Sequence, residues 1–269
     1  MANPNRPARP QHVLRVESSE RLSPHLVRLT LSGDTVADFP EANTDAYLKL
    51  LFVDPALGLE PPYDVQELRR TLPADQQPAV RTYTVRSVDR AAATITIDFV
   101  VHGDEGIAGP WALAARPGDR LVATGPGGAY SPAVDAPFHL LAGDLAALPA
   151  IAAALEAMPA DATGVALLQI HDTDDRIELV APEGVEVHWL LDEREDDEEF
   201  LARAVAGATW PEGTQVFVHG ERSAVRAIRG VLRERGVPRE ALSISAYWAR
   251  GRTEDTFQAE KREPIGQID

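Results

Sequence analysis

The chain has 269 residues, of which 44% are hydrophobic and 25% are charged, a length and composition that suit a globular protein of two domains. Its formal net charge of −16 argues against nucleic acid as a partner, because binding to phosphate backbones requires a clustered basic surface. The chain has no cysteine, which excludes disulfides, thiol redox chemistry and cysteine-ligated metal or iron–sulfur centres.

The positions of the histidines and of the apolar residues exclude further classes of protein. The seven histidines are scattered without a pair at helical or His-x-His spacing, so we expect no metal site. A redox protein of this composition would carry its electrons on an organic cofactor. No run of about 18 apolar residues is present, and the Pro-rich segment 1–10 lacks the apolar core of a signal peptide. We therefore expect a cytoplasmic protein that does not associate with membranes.

Alternating polar and apolar residues predict strands in the first half of the chain. They lie at 12–17, 26–31, 47–53, 81–86, 94–102 and 120–124. Segment 54–80 holds five prolines, which forbid a central strand and leave room for a short helix near 64–71. Six strands without long helices between them indicate an antiparallel β-barrel.

The strand at 81–86 combines groups that would suit a cofactor with a phosphate, a planar ring and a hydrogen-bonding edge. Period-two alternation places Thr82 and Thr84 on one face and Arg81 and Tyr83 on the other. The strand thus offers a cation, a flat aromatic ring and a hydroxyl within roughly 10 Å. An ordinary barrel strand with Arg and Tyr on its surface is the alternative reading of the hexapeptide alone.

A glycine-rich loop follows the next strand. Gly103, Gly106 and Gly109 precede Pro110-Trp111, and Pro is well tolerated at the first position of a helix. The open N–H groups at such a helix start would suit a pyrophosphate. A plain turn is the alternative for this loop.

The second half of the chain alternates strands with helices. We predict strands at 138–142, 164–170, 185–191, 214–219 and 242–247, and helices at 145–158, 196–205, 221–235 and 253–262. This order implies a parallel sheet covered by helices, of the kind that binds nucleotides beyond the carboxyl ends of its strands. We place the domains at 1–133 (flavin-binding barrel), 134–248 (α/β domain of the NAD(P)-binding type) and 249–269 (terminal helix and tail).

Several motifs recur together and in order along the chain. In these stretches the chain resembles the siderophore-interacting protein family, the FAD-dependent ferric-siderophore reductases of the ferredoxin reductase-like superfamily. The stretches are Ser23-Pro24-His25, Arg81-Thr82-Tyr83-Thr84-Val85-Arg86, Asp98-Phe99-Val100-Val101-His102-Gly103, Gly125-Pro126-Gly127-Gly128, Leu140-Leu141-Ala142-Gly143-Asp144 with Leu148-Pro149-Ala150, and Tyr247-Trp248-Ala249-Arg250-Gly251.

The resemblance implies roles for the flavin site. Arg81 would pair with the FAD phosphates, while Tyr83 would lie against the isoalloxazine ring and Thr84 near its N5 atom, the two positions closest to the chemistry. An arginine fork matches phosphate oxygens bidentately. The further cofactor-binding residues that the resemblance implies are Asp98, Val100, His102, Ala108, Gly109, Trp111 and Trp248.

The resemblance also implies a basic cluster for an anionic ferric siderophore. Its matching positions are Lys49, Arg250 and Lys261. Each has an ordinary alternative as an outward-facing strand lysine, a strand cap or a cation at a helix end. Phe257 lies one helical turn before Lys261, so a buried Phe257 would direct Lys261 toward the same groove.

The sequence defines a nicotinamide site less closely than it defines the flavin site. The α/β domain lacks the Gly-x-Gly-x-x-Gly fingerprint, and Asp144 is a candidate at a strand end. Asp172 could accept a ribose 2′-hydroxyl and favour NADH, whereas Arg176 could favour NADPH. The chain departs from the family pattern at Leu145-Ala146, where Glu-Thr is common, and at Pro110, which removes one backbone donor.

The resulting hypothesis is an FAD-dependent ferric-siderophore reductase. Electrons would come from NADH, NADPH or a reduced ferredoxin, and the protein would act as a monomer. One alternative is a flavoprotein that reduces another protein or free flavin. A second is a binding module that has lost its cofactor, against which the intact Arg81, Tyr83 and Thr84 argue.

Overall fold

The computed structural model describes residues 10–39, 43–103, 106–194, 197–261 and 263–268. Within these ranges the chain forms an antiparallel sheet of seven strands and then a parallel sheet of five strands. The expected fold class, a barrel-type sheet followed by an α/β domain, is confirmed. The first sheet contains β1 (Gln11–Ser23), β2 (Leu26–Ser32), β3 (Tyr47–Phe52), β4 (Ala79–Thr84), β5 (Ser87–Asp89), β6 (Thr94–Val100) and β7 (Arg120–Gly127).

The first sheet closes on itself. Its strand order is β4-β3-β7-β1-β2-β6-β5, which places β4 and β5 at opposite edges. Only Val85 and Arg86 separate those two strands along the chain, so the sheet must curl until its edges meet. The N–H of Arg86 donates to the carbonyl of Thr96 on β6 at 2.9 Å, which links the two edges. The three-residue β5 is the one strand more than the sequence predicted.

Two short helices interrupt the barrel strands. The expected helix in the Pro-rich segment is α1 (Val65–Thr71), and Asp64 caps it by accepting the N–H of Glu67 at 2.9 Å. The helix after the glycine-rich loop is α2 (Ala108–Ala114), which begins two residues before Pro110 rather than at it. Pro110 is tolerated there because N–H groups of the first helical turn have no intrahelical acceptor to lose.

The second sheet is parallel throughout and has the order β10-β9-β8-β11-β12. Its strands are β8 (His139–Gly143), β9 (Thr163–Ile170), β10 (Gly184–Leu191), β11 (Gln215–Glu221) and β12 (Leu242–Trp248). The helices are α3 (Leu148–Ala157), α4 (Phe200–Gly207), α5 (Arg222–Glu234) and, after the sheet, α6 (Glu254–Glu260). After β8 the chain adds β9 and β10 on one side of that strand, and it then adds β11 and β12 on the other side. This reversal between β8 and β11 is where open α/β sheets bind their ligands.

Helix starts differ from the sequence prediction. Helix α3 begins at Leu148 rather than at 145, because the Asp144 side chain accepts the N–H groups of Ala146 and Ala147 and forms a separate turn. Helix α4 begins at Phe200, and the expected start at 196 lies outside the described residues, as does the expected end of α6 at 262. None of the described helices combines the length and apolar character needed to span a lipid bilayer.

A buried carboxylate joins the two domains. Asp175, which follows β9, is fully buried and contacts the turn between β1 and β2. Its Oδ1 accepts the Ser23 hydroxyl at 2.7 Å and the His25 N–H at 3.0 Å, and its Oδ2 accepts His25 Nδ1–H at 2.8 Å. We call these three residues the interdomain clamp. A second link joins Arg86 of the barrel to Glu156 of α3 by an ion pair.

We predict that Asp175→Ala lowers the free energy of unfolding by about 3 kcal/mol, because it leaves buried donors without an acceptor. Urea unfolding at neutral pH measures the change. Asp174→Ala removes the same charge from the exposed neighbouring side chain and is the control. Equal losses in the two variants would contradict a role for Asp175 in holding the domains together.

Candidate functional site

The register of β3 and β4 sorts the predicted site residues by face. Lys49 is paired with Thr82 and Tyr47 with Thr84. Directly opposed residues share a face of the sheet, so Lys49, Thr82 and Thr84 lie on one face. Arg81 and Tyr83 lie on the other, as the alternation predicted.

Tyr83 belongs to an aromatic group at the edge of the barrel. Its ring centroid lies 4.4 Å from that of Phe99, and the Phe99 ring lies 6.0 Å from Trp111. Burial raises the pKa of the Tyr83 phenol above its ordinary value, so the side chain stays a neutral hydrogen-bond donor. A neutral aromatic ring in this position can pack against a planar cofactor.

The guanidinium of Arg81 makes only weak interactions with other groups of the protein. Its guanidinium donates to the Val80 carbonyl at 2.9 Å and lies 3.3 Å from the Asp255 carboxylate. The Asp255 side chain is 61% exposed, and ion pairs of this kind contribute about 0–1 kcal/mol. A phosphate group could therefore replace Asp255 as the partner of Arg81 at little cost.

Thr84 lies close to the other domain. It is buried, and its side chain is close enough to the Tyr247 phenol on β12 to act on the pKa of that group. The Tyr247 ring lies 4.7 Å from the ring of buried His219. Burial raises the pKa of Tyr247 and lowers the pKa of His219 to about 3, so both groups are neutral near pH 7. The position of the Thr84 hydroxyl thus depends on how the domains meet.

The start of α2 lies against β6. Ala108 is buried, and a Cβ added to Gly109 would lie 3.5 Å from the Val100 carbonyl oxygen, so this backbone packs closely on the strand. Gly103 and Gly106 have φ values of +52° and +80°, which favour glycine. The first N–H groups of α2 have no intrahelical acceptor and can meet an anion.

The three predicted residues of β6 and its end have different surroundings. The Asp98 carboxylate is bound bidentately by Arg28 at 2.6 and 2.7 Å, so its oxygens are committed within the barrel. Val100 packs against the core of the α/β domain. His102 is exposed, with its ring 6.1 Å from that of His25 in the interdomain clamp. These contacts place the end of β6 at the boundary between domains.

Asp144 ties together the strand ends at the reversal between β8 and β11. Its Oδ2 accepts the N–H of Glu221 at 2.9 Å and the indole N–H of Trp248 at 2.7 Å, while its Oδ1 accepts Ala146 at 2.9 Å and Ala147 at 3.3 Å. Burial raises the pKa of Asp144, and these donors oppose the rise. Four donors fill the lone pairs of a carboxylate, so Asp144 and Trp248 shape this end of the sheet from within the protein.

Two aspartates that follow β9 have different surroundings. Asp172, the predicted ribose acceptor, caps a short helical turn by accepting the N–H of Asp174 at 2.9 Å and remains partly exposed. Asp175 is the buried member of the interdomain clamp. Sequence reasoning missed Asp175, because nothing in a run of polar loop residues indicates which acid is buried.

The predicted basic cluster is assembled in part. Lys49 and Lys261 interact electrostatically, and both also act on the carboxylate of Glu254 at the start of α6. Burial and the charge of Lys49 lower the pKa of Lys261, while Glu254 opposes this. Arg250 instead extends an exposed side chain beyond β12, and its N–H donates to Glu221 at 3.1 Å. Glu254 was not predicted as a site residue.

The chemistry of these residues fits FAD at the edge where β4, α2 and the α/β domain meet. A weakly paired cation, a neutral aromatic ring, a buried hydroxyl and a set of open N–H groups match phosphates, a planar ring and its polar edge. In the part of the chain that the structure describes, no group of three or more His, Asp or Glu side chains could hold a metal ion.

Comparison with known proteins covers both domains. Residues 15–130 match the model of the siderophore-interacting FAD-binding domain, and residues 136–251 match that of the siderophore-interacting protein family. Ferric vibriobactin reductase ViuB of Vibrio cholerae is 35% identical over 89% of this chain and 90% of its own. The NADPH-dependent ferric-chelate reductase of Escherichia coli is 28% identical over 88% of this chain and 91% of its own.

A solved structure gives the same result. The siderophore-interacting protein SipS from Aeromonas hydrophila superimposes with a TM-score of 0.81 and 30% identity, covering 97% of this chain and 100% of its own. The order of barrel and α/β domain is therefore shared over 97% of this chain and the whole of SipS.

The buried His219 predicts a pH dependence of stability. Its ordinary pKa of 6.5 applies in the unfolded chain, and its folded pKa is about 3. Between these values the unfolded state binds a proton that the folded state does not, so stability falls as the pH falls through this window. We expect His219→Gln to reduce the slope of unfolding free energy against pH there by up to about 1.4 kcal/mol per pH unit.

Urea unfolding across that window measures the slope. The matched control is His188→Gln, which replaces an exposed histidine side chain on β10. A slope in His219→Gln that equals the slope of the unsubstituted protein would show that His219 is not buried in its neutral form.

Proposed function

Because the chain belongs to the siderophore-interacting protein family, we propose that it is an FAD-dependent oxidoreductase that reduces the iron(III) of ferric siderophores and so releases iron(II). One observation carries the proposal beyond family membership. The strand that bears Arg81, Tyr83 and Thr84 lies beside the two lysines of the basic cluster, so a cofactor and an anionic chelate can meet at one edge of the barrel.

The barrel side of the site would bind the cofactor. Arg81 and the open N–H groups of Ala108 and Gly109 would hold the phosphates of FAD. Tyr83 would pack against its ring system, with Thr84 at the ring edge beside Tyr247. Val100, His102, Trp111 and Trp248 would line the surrounding walls, while Asp98 would support β6 through Arg28.

FAD supplies the redox chemistry of such a site, since a flavin can accept two electrons and give them up singly. The protein needs no acid or base at the iron, because the electron enters a metal that its chelate already holds. Lys49, Lys261 and the exposed Arg250 would attract and orient the chelate. Hard oxygen donors bind iron(II) much more weakly than iron(III), so reduction releases the metal.

The α/β domain would bring the electron donor to the opposite side of the flavin. A nicotinamide would enter at the reversal between β8 and β11, where Asp144 holds the strand ends in place and is itself a positioning residue. Asp172 remains able to accept a ribose hydroxyl and would favour NADH, whereas nearby Arg176 would favour NADPH. A reduced ferredoxin is the alternative donor.

The proposal includes a monomer acting in the cytoplasm. The competing function is a flavoprotein that reduces another protein or free flavin. It would use the same flavin site but would not need the lysine pair.

We predict that Arg81→Gln raises the Kd for FAD roughly tenfold to hundredfold, because it removes a charge-assisted contact to phosphate. Titration of flavin fluorescence measures the Kd. Arg69→Gln, on exposed α1, makes the same substitution away from the site and is the control. Unchanged affinity in Arg81→Gln would remove Arg81 from the cofactor site.

An anaerobic two-step experiment tests the function itself. The FAD-loaded protein is reduced with NADH or NADPH separately, and ferric chelates are then added while the flavin absorbance is followed. We expect at least one nicotinamide to bleach the flavin and a ferric siderophore to restore it as iron(II) appears. Faster reoxidation by free flavin or by a protein acceptor would support the competing function, and absence of flavin binding would indicate a cofactor-free binding module.

A further inference from the structure

Helix α6 places carboxylates among the cations of the proposed chelate site. Glu254 and Asp255 form its first turn. Glu254 interacts electrostatically with Lys49 and Lys261 of that site, and Asp255 lies 3.3 Å from Arg81 of the flavin site. We propose that Glu254 is a specificity-determining residue that biases this site against highly anionic ferric siderophores and toward those of low net charge. The inference rests on the proposed reductase function and names its substrate class.

The position of Glu254 differs from that of an ordinary surface acid. Its side chain is partly buried, and Gln258 one turn later donates to its Oε1 at 2.9 Å. Asp255 beside it lies 3.3 Å from Arg81 but is 61% exposed. Water screens Asp255 more strongly, so Glu254 exerts the larger effect on a bound chelate.

Helix α6 cannot easily move this carboxylate away. Phe257 is 1% exposed and packs with Ala246 and Ala249 at the end of the α/β domain. The Glu260 carboxylate accepts hydrogen bonds from the guanidinium groups of Arg222 and Arg252, both at 2.6 Å. Two ion pairs therefore hold the last turn of the helix. A helix anchored in this way holds Glu254 as a fixed charge in the site.

The Glu254 carboxylate interacts with Lys49 and Lys261 of the chelate site and with Arg81 of the flavin site. Burial raises the pKa of Glu254, and the bond from Gln258 and the three cations oppose that rise by stabilising the charged form. The same carboxylate therefore offsets part of the attraction that these cations offer to an anion. The Glu254 carboxylate repels the three negative charges of a trianionic chelate, whereas it does not repel a neutral chelate. Repulsion of the wrong ligand is an effective source of specificity.

Redox-inert gallium(III) complexes test the inference by direct binding. The probes are a neutral gallium(III) trihydroxamate and a trianionic gallium(III) tris-catecholate, titrated calorimetrically into the oxidised FAD-loaded protein. The variant Glu254→Gln keeps the size of the side chain and an oxygen that can accept from Gln258. The control Glu240→Gln removes the same charge from an exposed side chain at the opposite end of β12.

We expect Glu254→Gln to lower the Kd of the tris-catecholate about tenfold and to change that of the trihydroxamate by less than about twofold. Glu240→Gln should leave both values unchanged. A ratio of the two Kd values that is the same in Glu254→Gln and in the unsubstituted protein would overturn the inference. Failure of the unsubstituted protein to bind either probe or to reduce ferric chelates would instead overturn the proposed function.

Discussion

The contact on which the site depends is the buried interdomain clamp. The Asp175 carboxylate is taken out of water, and such a group is tolerated only when hydrogen bonds replace its hydration. Ser23 and His25 supply those bonds from the barrel, at distances of 2.7 to 3.0 Å. Because separation of the domains would leave these groups to be paired again by water, the clamp favours one relative orientation.

That orientation decides what the residues at the domain boundary can do. Thr84 belongs to the barrel, yet its side chain lies close to Tyr247 of the α/β domain. Tyr247 in turn packs beside His219, which burial keeps neutral. Val100, the last residue of β6, packs against the apolar core of the α/β domain at the same boundary. A flavin gripped by the barrel would therefore meet its electron donor at a distance set by side chains outside the flavin site.

Much of this arrangement could be predicted from the sequence. Period-two strands, the Pro-rich excursion and the later alternation of strands and helices are local patterns, and they gave both sheets and most of the helices. The motifs also predicted the adjacent Arg81, Tyr83 and Thr84. The roles of Asp144, Asp175 and Glu254 depend on partners more than 25 residues away or on burial, neither of which a local pattern contains. The same limit applies to Asp98, whose carboxylate is bound by Arg28, a partner 70 residues away in sequence.

The central claim is that cofactor and chelate meet at the edge formed by β3, β4 and α6. A crystal structure of the FAD-loaded protein with a gallium(III) siderophore tests it most directly. We expect the flavin ring beside Tyr83 and Thr84, with the chelate in contact with Lys49 and Lys261. A flavin bound elsewhere, or a chelate seated away from both lysines, would contradict it.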